Sequence, residues 1–235
     1  MQQSALNLLA IGIFTITFSI LLGPFLRISP AVPAVATFGI LSLVTVDTLG
    51  WNSRGVTLLL DTLASAEHRE RVIRHEAGHF LAAYFLGIPI TGYTLSAWEA
   101  WKQGQPGLGG VELDTSGLLK TAQLASVQAL AVDAPSNRLI VDRFCTVWMA
   151  GVAAEKLVYA RSEGGDEDRQ KIREVLKLVG SPHQSQQKED WALLQAKSLI
   201  DKHREAYEAL VIAMTKRASV TECAQAIQQQ TAGGS

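Results

Sequence analysis

The sequence predicts a mainly helical domain with one short β-hairpin, preceded by an N-terminal transmembrane helical hairpin. Three observations predict it. Residues 1–26 carry no Asp, Glu, Lys or Arg, and after Arg27 residues 28–46 again carry none. From residue 71 onward apolar residues recur mostly at helical spacing. Only around residues 88–116 does the pattern alternate as strands do, in two short runs separated by the glycine-rich GQPGLGG.

The elements follow in order. ALNLLAIGIFTITFSILLGPFL is long enough for the ~20 residues that a bilayer crossing needs. PAVPAVATFGILSLVTV is shorter and reaches that length with help from DTLGW. Between them GPFLRISPAVP, with Pro24, Pro30 and Pro33, reads as a tight turn. A cleaved signal peptide would start with basic residues, whereas this chain starts Met1-Gln2-Gln3-Ser4 and a second apolar run follows at once. Residues 1–51 are therefore expected to form the membrane hairpin, with the lipid bilayer as its partner. The turn holds only Arg27, while Arg54, Arg69, Arg71 and Arg74 follow the second run. The positive-inside bias places the rest of the chain on the cytoplasmic side, or in an equivalent compartment such as a stroma.

Residues 52–70 read as a linker and the start of a helix, 71–229 as the folded domain, and 230–235 as a disordered tail. IPITGYTLSAW and GGVELDTS are the two strands. GLLKTAQLASVQALAV, SNRLIVDRFCTVWMAGVAAEKLVYA and DEDRQKIREVLKLVG are three helices, the last ended by Gly180 and Pro182. SQQKEDWALLQAKSLIDKHREAYEALVIAMTKR reads as one long amphipathic helix, and SVTECAQAIQQQ, capped by Ser219, as the last.

Composition excludes some functions. A net charge of −1 gives no electrostatic footprint for nucleic acid. Cys145 and Cys223 have neither zinc-ribbon spacing nor a disulfide pattern, and read as buried thiols in a reducing compartment.

The stretch RVIRHEAGHFLAAYFLG, residues 71–87, carries the chemistry. Residues four apart on a helix share a face, so His75 and His79 can offer two imidazole nitrogens to one metal ion. Glu76 lies one residue on, to the side of that pair, placed to take a proton from a water molecule. This is the H-E-x-x-H arrangement of two zinc ligands and a general base. Gly78 lies inside the helix, where glycine costs about 1 kcal/mol relative to alanine. It implies close approach by another backbone or a substrate.

A catalytic zinc site needs a third protein ligand. His68, His183 and His203 read as surface residues. The acidic run SEGGDEDRQ follows one helix and opens another, and Asp166, Glu167 and Asp168 are all candidates, against the alternative that they only favour the helix N-terminus. Spacing does not choose among them.

HEAGH, MAGVAAEKLVYARSEGGDEDRQKI and ALLQAKSLIDKHREAYEALVIAMTKRASV together resemble the peptidase domain of the FtsH family of membrane-anchored zinc metalloproteases, over residues 71–227. The resemblance implies a mostly helical peptidase domain. Its Ala-Gly-x-Ala-Ala-Glu helix is matched by Ala150, Gly151, Ala153, Ala154 and Glu155. A glycine-containing turn ending in Asn-Asp follows in the family, and its Asp is the third zinc ligand. Setting Gly164 on that glycine implies Asp168 as this ligand. The wording departs from the family's Gly-Ala-x-Asn-Asp, which leaves Asp166 open. Glu155 is implied as a residue behind the ligands or in helix packing.

The larger departure is an absence. FtsH proteins carry an ATPase module between membrane and peptidase, yet here about twenty residues separate Trp51 from Arg71, and no G-x-x-x-x-G-K-[ST] loop occurs. The resemblance thus implies a stand-alone zinc endopeptidase on a membrane anchor. Its partners are polypeptide substrates, an ATPase subunit in trans, and further copies or other subunits in an oligomer. Such ATPase-free relatives point to a cyanobacterial or plastid lineage and a thylakoid-type membrane. A strand through Gly109, Gly110 and Val111 is suited to hold an extended substrate by strand addition. Two rivals are a catalytically silent scaffold subunit, against which the intact Glu76 speaks, and a different metal hydrolase built on the same helix motif.

Overall fold

The computed structural model describes residues 10, 12–14, 16–23, 29, 31–50, 55, 58, 61–62, 64–104, 109–119, 135–179 and 181–232. The chain divides into two compact units, one of residues Met1–Ser65 with Ser96–Leu108, the other of Ala66–Leu95 with Gly109–Ser235.

In the first unit the backbone is helical at residues 12–14 and 16–23, and α1 runs Ala31–Gly50. Pro33, expected in a turn, lies in the first turn of α1, where its missing N–H costs nothing. Apolar side chains point outward here. Phe14, Phe18 and Leu21 are more than half exposed, as are Val35, Phe38, Leu41, Leu43, Val46 and Leu49. Among the described residues no helix is long and apolar enough to cross a membrane. Neither spanning helix expected within residues 1–51 is therefore found among the described residues, and positions 5–9, 11, 15 and 24–26 of the first expected span lie outside them. The short helix α2 (Ala97–Lys102) also belongs to this unit, its first turn capped by the Ser96 hydroxyl, which accepts from the Glu99 N–H. Sequence alternation had Ser96–Trp98 finishing a strand; the cap at Ser96 turns the chain into a helix instead.

The second unit is mainly helical around a two-stranded antiparallel sheet. Its central pair is α3 (Ala66–Leu86) against α4 (Pro135–Tyr159). Small residues let these helices meet closely. An added Cβ at Gly78 would lie 2.4 Å from the Ala150 carbonyl oxygen and 2.9 Å from the Ala154 Cβ. Phe80, Leu81, Val147, Ala150, Ala153 and Ala154 on these two helices are buried, Phe80 against the Tyr93 ring.

Strand β1 (Ile90–Thr94) pairs with β2 (Gly110–Leu113), Tyr93 opposite Val111 and Thr94 opposite Gly110. The Tyr93 hydroxyl donates to the Ala218 carbonyl, tying the sheet to the C-terminal helices. Helix α5 spans Asp166–Leu178, α6 Ser185–Lys202, α7 Arg204–Thr215 and α8 Val220–Ala232.

One expectation for the C-terminal helices is corrected. The long helix expected over 185–217 is two helices, broken at His203, whose backbone leaves the helical region (φ −117, ψ 39) while its ring stacks 3.8 Å from that of Phe85. Helix α8 continues through residues 230–232, and 233–235 of the expected tail lie outside the described residues. Of the helix expected over 117–132, residues 117–119 are helical and the remainder lies outside the described residues.

Candidate metal centre

Three helices distant in sequence build the site. Helix α3 supplies His75 and His79, one turn apart. The N-terminal turn of α5 supplies Asp168. The ligating atoms of these three residues lie within 4.8 Å of one another. Asp168 Oδ2 is 3.2 Å from His75 Nε2 and 3.4 Å from His79 Nε2. A tetrahedron with zinc–nitrogen bonds of about 2.0–2.1 Å has edges of about 3.3–3.4 Å. The two distances therefore match neighbouring corners of such a tetrahedron.

Each imidazole is aimed by what its other nitrogen touches. His79 Nδ1 donates to the Val147 carbonyl at 2.7 Å, which directs Nε2 toward Asp168. His75 Nδ1 lies 2.7 Å from Glu155 Oε1. A carboxylate or carbonyl behind each histidine fixes ring orientation and makes the ligand more basic.

Glu155 is in turn held on all sides. It accepts from the Glu163 N–H at 2.9 Å, the Gly164 N–H at 3.3 Å and the Arg71 guanidinium at 3.2 Å. Arg71 is itself buried, donates to the Arg161 carbonyl and lies over the Tyr159 ring at 4.1 Å. Burial opposes charge on Glu155, but its bonds to His75 and the Glu163 amide win and hold its carboxyl down at about 2. Burial likewise opposes charge on His75, and the hydrogen bonds to Asp168 and Glu155 outweigh it, raising the imidazole to about 10. Asp168 is held well below the usual carboxylate range despite burial, because both histidines face it.

Glycines make the room. A Cβ at Gly151 would lie 2.3 Å from His75 Nε2, and one at Gly164 would lie 3.0 Å from Glu155 Oε1. Gly165 takes φ +99, a left-handed conformation that starts α5, and a Cβ there would lie 2.1 Å from Val152.

Glu76 is buried beside the histidines, and its Oε2 accepts from the Val111 N–H of β2 at 3.0 Å. The structure thus brings the expected base against Val111. Gly110 sits beside them, its missing Cβ 3.6 Å from that oxygen. Gly109 has φ +105 and is partly exposed at the start of the strand.

Asp168, not Asp166, meets the histidines. The Asp166 side chain is 95% exposed and bonds Arg169. His183 is exposed, His203 is engaged with Phe85, and His68 lies in the first turns of α3, away from the cluster. Sequence reading missed Arg71, which it counted as a topology charge, and Lys171, whose ammonium lies 3.2 Å from Asp168 Oδ1. Arg74 is committed as well, to Glu70 and Glu208.

What the site defines is a class: a buried two-histidine, one-carboxylate group able to hold a metal ion, with a further carboxylate at its side. No protein-family model matches the chain, and no curated protein matches it.

Proposed function

We propose that this chain is a membrane-attached zinc metalloendopeptidase of FtsH-like type that hydrolyses polypeptides without an ATPase of its own. The observation that carries the reading is the convergence of His75, His79 and Asp168, with Asp168 3.2 Å and 3.4 Å from the two imidazoles and Glu76 next to them. The donor set of two imidazoles and one carboxylate suits zinc and leaves a fourth position for water or substrate.

A zinc ion held there would lower the pKa of water toward about 7 and polarise a peptide carbonyl. The remaining work falls to the chain. Glu76 takes the proton from the attacking water and hands it to the leaving amine. Glu155 and the Val147 carbonyl keep the two rings turned to a common point. Strand β2 offers its outer edge to an extended substrate. Gly110 and Glu112 face β1, since the Gly110 N–H donates to Thr94 Oγ1 and the Glu112 carbonyl accepts from Thr91. By strand alternation Val111 and Leu113 turn their backbone groups the other way, and Gly109 precedes the strand.

Membrane attachment is supported by the apolar side chains exposed along residues 12–50, which carry only Arg27 and Asp47 as charges. The test is metal content and cleavage of an unfolded polypeptide by detergent-solubilised protein. Glu76→Gln is expected to retain metal and to lose at least about 100-fold in kcat. Cleavage surviving in that variant, or wild-type protein that binds no zinc, would overturn the reading.

A further inference from the structure

Helix α2 is inverted relative to a helix that faces water. Its buried positions are Ala97 and Ala100, and its exposed ones are Trp98, Trp101 and Lys102. The two indoles are 48% and 50% exposed and stack with centroids 5.1 Å apart. Lys102 Nζ lies 5.4 Å from the Trp98 ring. Full burial of a large apolar side chain contributes about 1.5–3 kcal/mol, so leaving two half exposed while hiding two alanines forfeits about half of that gain.

The surrounding chemistry chooses what covers them. An indole has an apolar body and one N–H, which suits the boundary between acyl chains and headgroups. The Lys102 stem can lie along the rings while its ammonium reaches a phosphate. The helix also belongs to the compact unit that exposes Phe14, Phe18, Val35, Phe38 and Leu41.

We infer that the Trp98–Trp101–Lys102 face of α2 lies in the headgroup layer of a bilayer, a second attachment in addition to the N-terminal segment. The inference rests on the membrane reading above and adds a specific lipid-facing surface to it.

The test uses the full chain in phosphatidylcholine–phosphatidylglycerol vesicles whose acyl chains carry bromine at a shallow, middle or deep position. The chain has five tryptophans, so the fluorescence lost on the double substitution W98F/W101F isolates these two. That component is expected to be quenched most by shallow bromine and least by deep. Protein that floats with vesicles while this component is quenched at no depth, or most at the deep position, overturns the inference and leaves the membrane reading standing. A quencher-insensitive component is also what a protein partner on this face would give. Protein that does not float overturns the membrane reading itself. A second arm measures vesicle affinity by flotation for wild type and W98S/W101S; the variant is expected to bind about tenfold more weakly, and unchanged affinity overturns the inference.

Discussion

At the scale of single residues, the site is decided by which way a side chain turns on its helix. Asp166 and Asp168 are two residues apart, about 200° around α5. One side chain is 95% exposed and the other 8%. Asp168→Asn is therefore expected to weaken zinc binding by more than about 100-fold, because a neutral amide is a poor zinc ligand, and Asp166→Asn to leave it within about twofold. Zinc titration in competition with a chromophoric chelator reads both, and the reverse order would reassign the ligand. Acid–base behaviour follows from the same contacts. In chelator-treated protein His75 is raised from 6.5 to about 10, so its contribution to stability is whole below 6.5 and is lost as pH rises through about 10. Glu155 is lowered from 4.5 to about 2, so its contribution is whole above 4.5 and is lost as pH falls through about 2. The urea midpoint of that protein is expected to peak between pH 4.5 and 6.5. A midpoint still climbing from pH 7 to 9 would contradict these assignments.

At the scale of elements, the seam between α3 and α4 explains the sequence Ala150-Gly151-Val152-Ala153-Ala154-Glu155. Gly151 gives His75 its space, Ala150 and Ala154 meet Gly78, and Glu155 holds His75 from behind. Gly151→Ala is expected to displace the His75 ring, to weaken zinc binding at least about tenfold and to destabilise the fold by roughly 1–3 kcal/mol. Zinc titration and urea melts of the variant check both. This helix pair also shows what sequence can and cannot reveal. His75, Glu76 and His79 were legible because their spacing is local, one turn of one helix. Arg71 was not, because its partner Glu155 is 84 residues away and a buried arginine looks like any other charge. The His203 break was hidden because apolar periodicity runs on through 185–217, and only the ring stacked on Phe85 marks the change of direction. The helix at Ala97–Lys102 was hidden by a preceding alternation that ends at its Ser96 cap.

At the scale of the whole molecule, the proposed peptidase site stands in a sequence without a Walker-type loop to couple ATP to unfolding. A stable domain resists unfolding by about 5–15 kcal/mol. The chain carries no phosphate-binding loop of the Walker type. Purified protein is therefore expected to cleave an unfolded polypeptide at the same rate with and without ATP, and to leave a compact domain intact unless an ATPase subunit is added. Gel assays of both substrates check this. Stimulation by ATP in the protein alone would mean that a nucleotide site exists elsewhere in the chain.

The bond from the Val111 amide to Glu76 also sets up a competition. One N–H serves one strong acceptor at a time. A peptide that docks along the outer edge of β2 must take this amide from the carboxylate, and a typical net hydrogen bond of about 1 kcal/mol lowers its affinity by roughly fivefold. The same exchange releases Glu76 Oε2 from the strand when a chain lies beside it. In the proposed peptidase, docking on β2 and a change in the hydrogen bonding of the base are then one event.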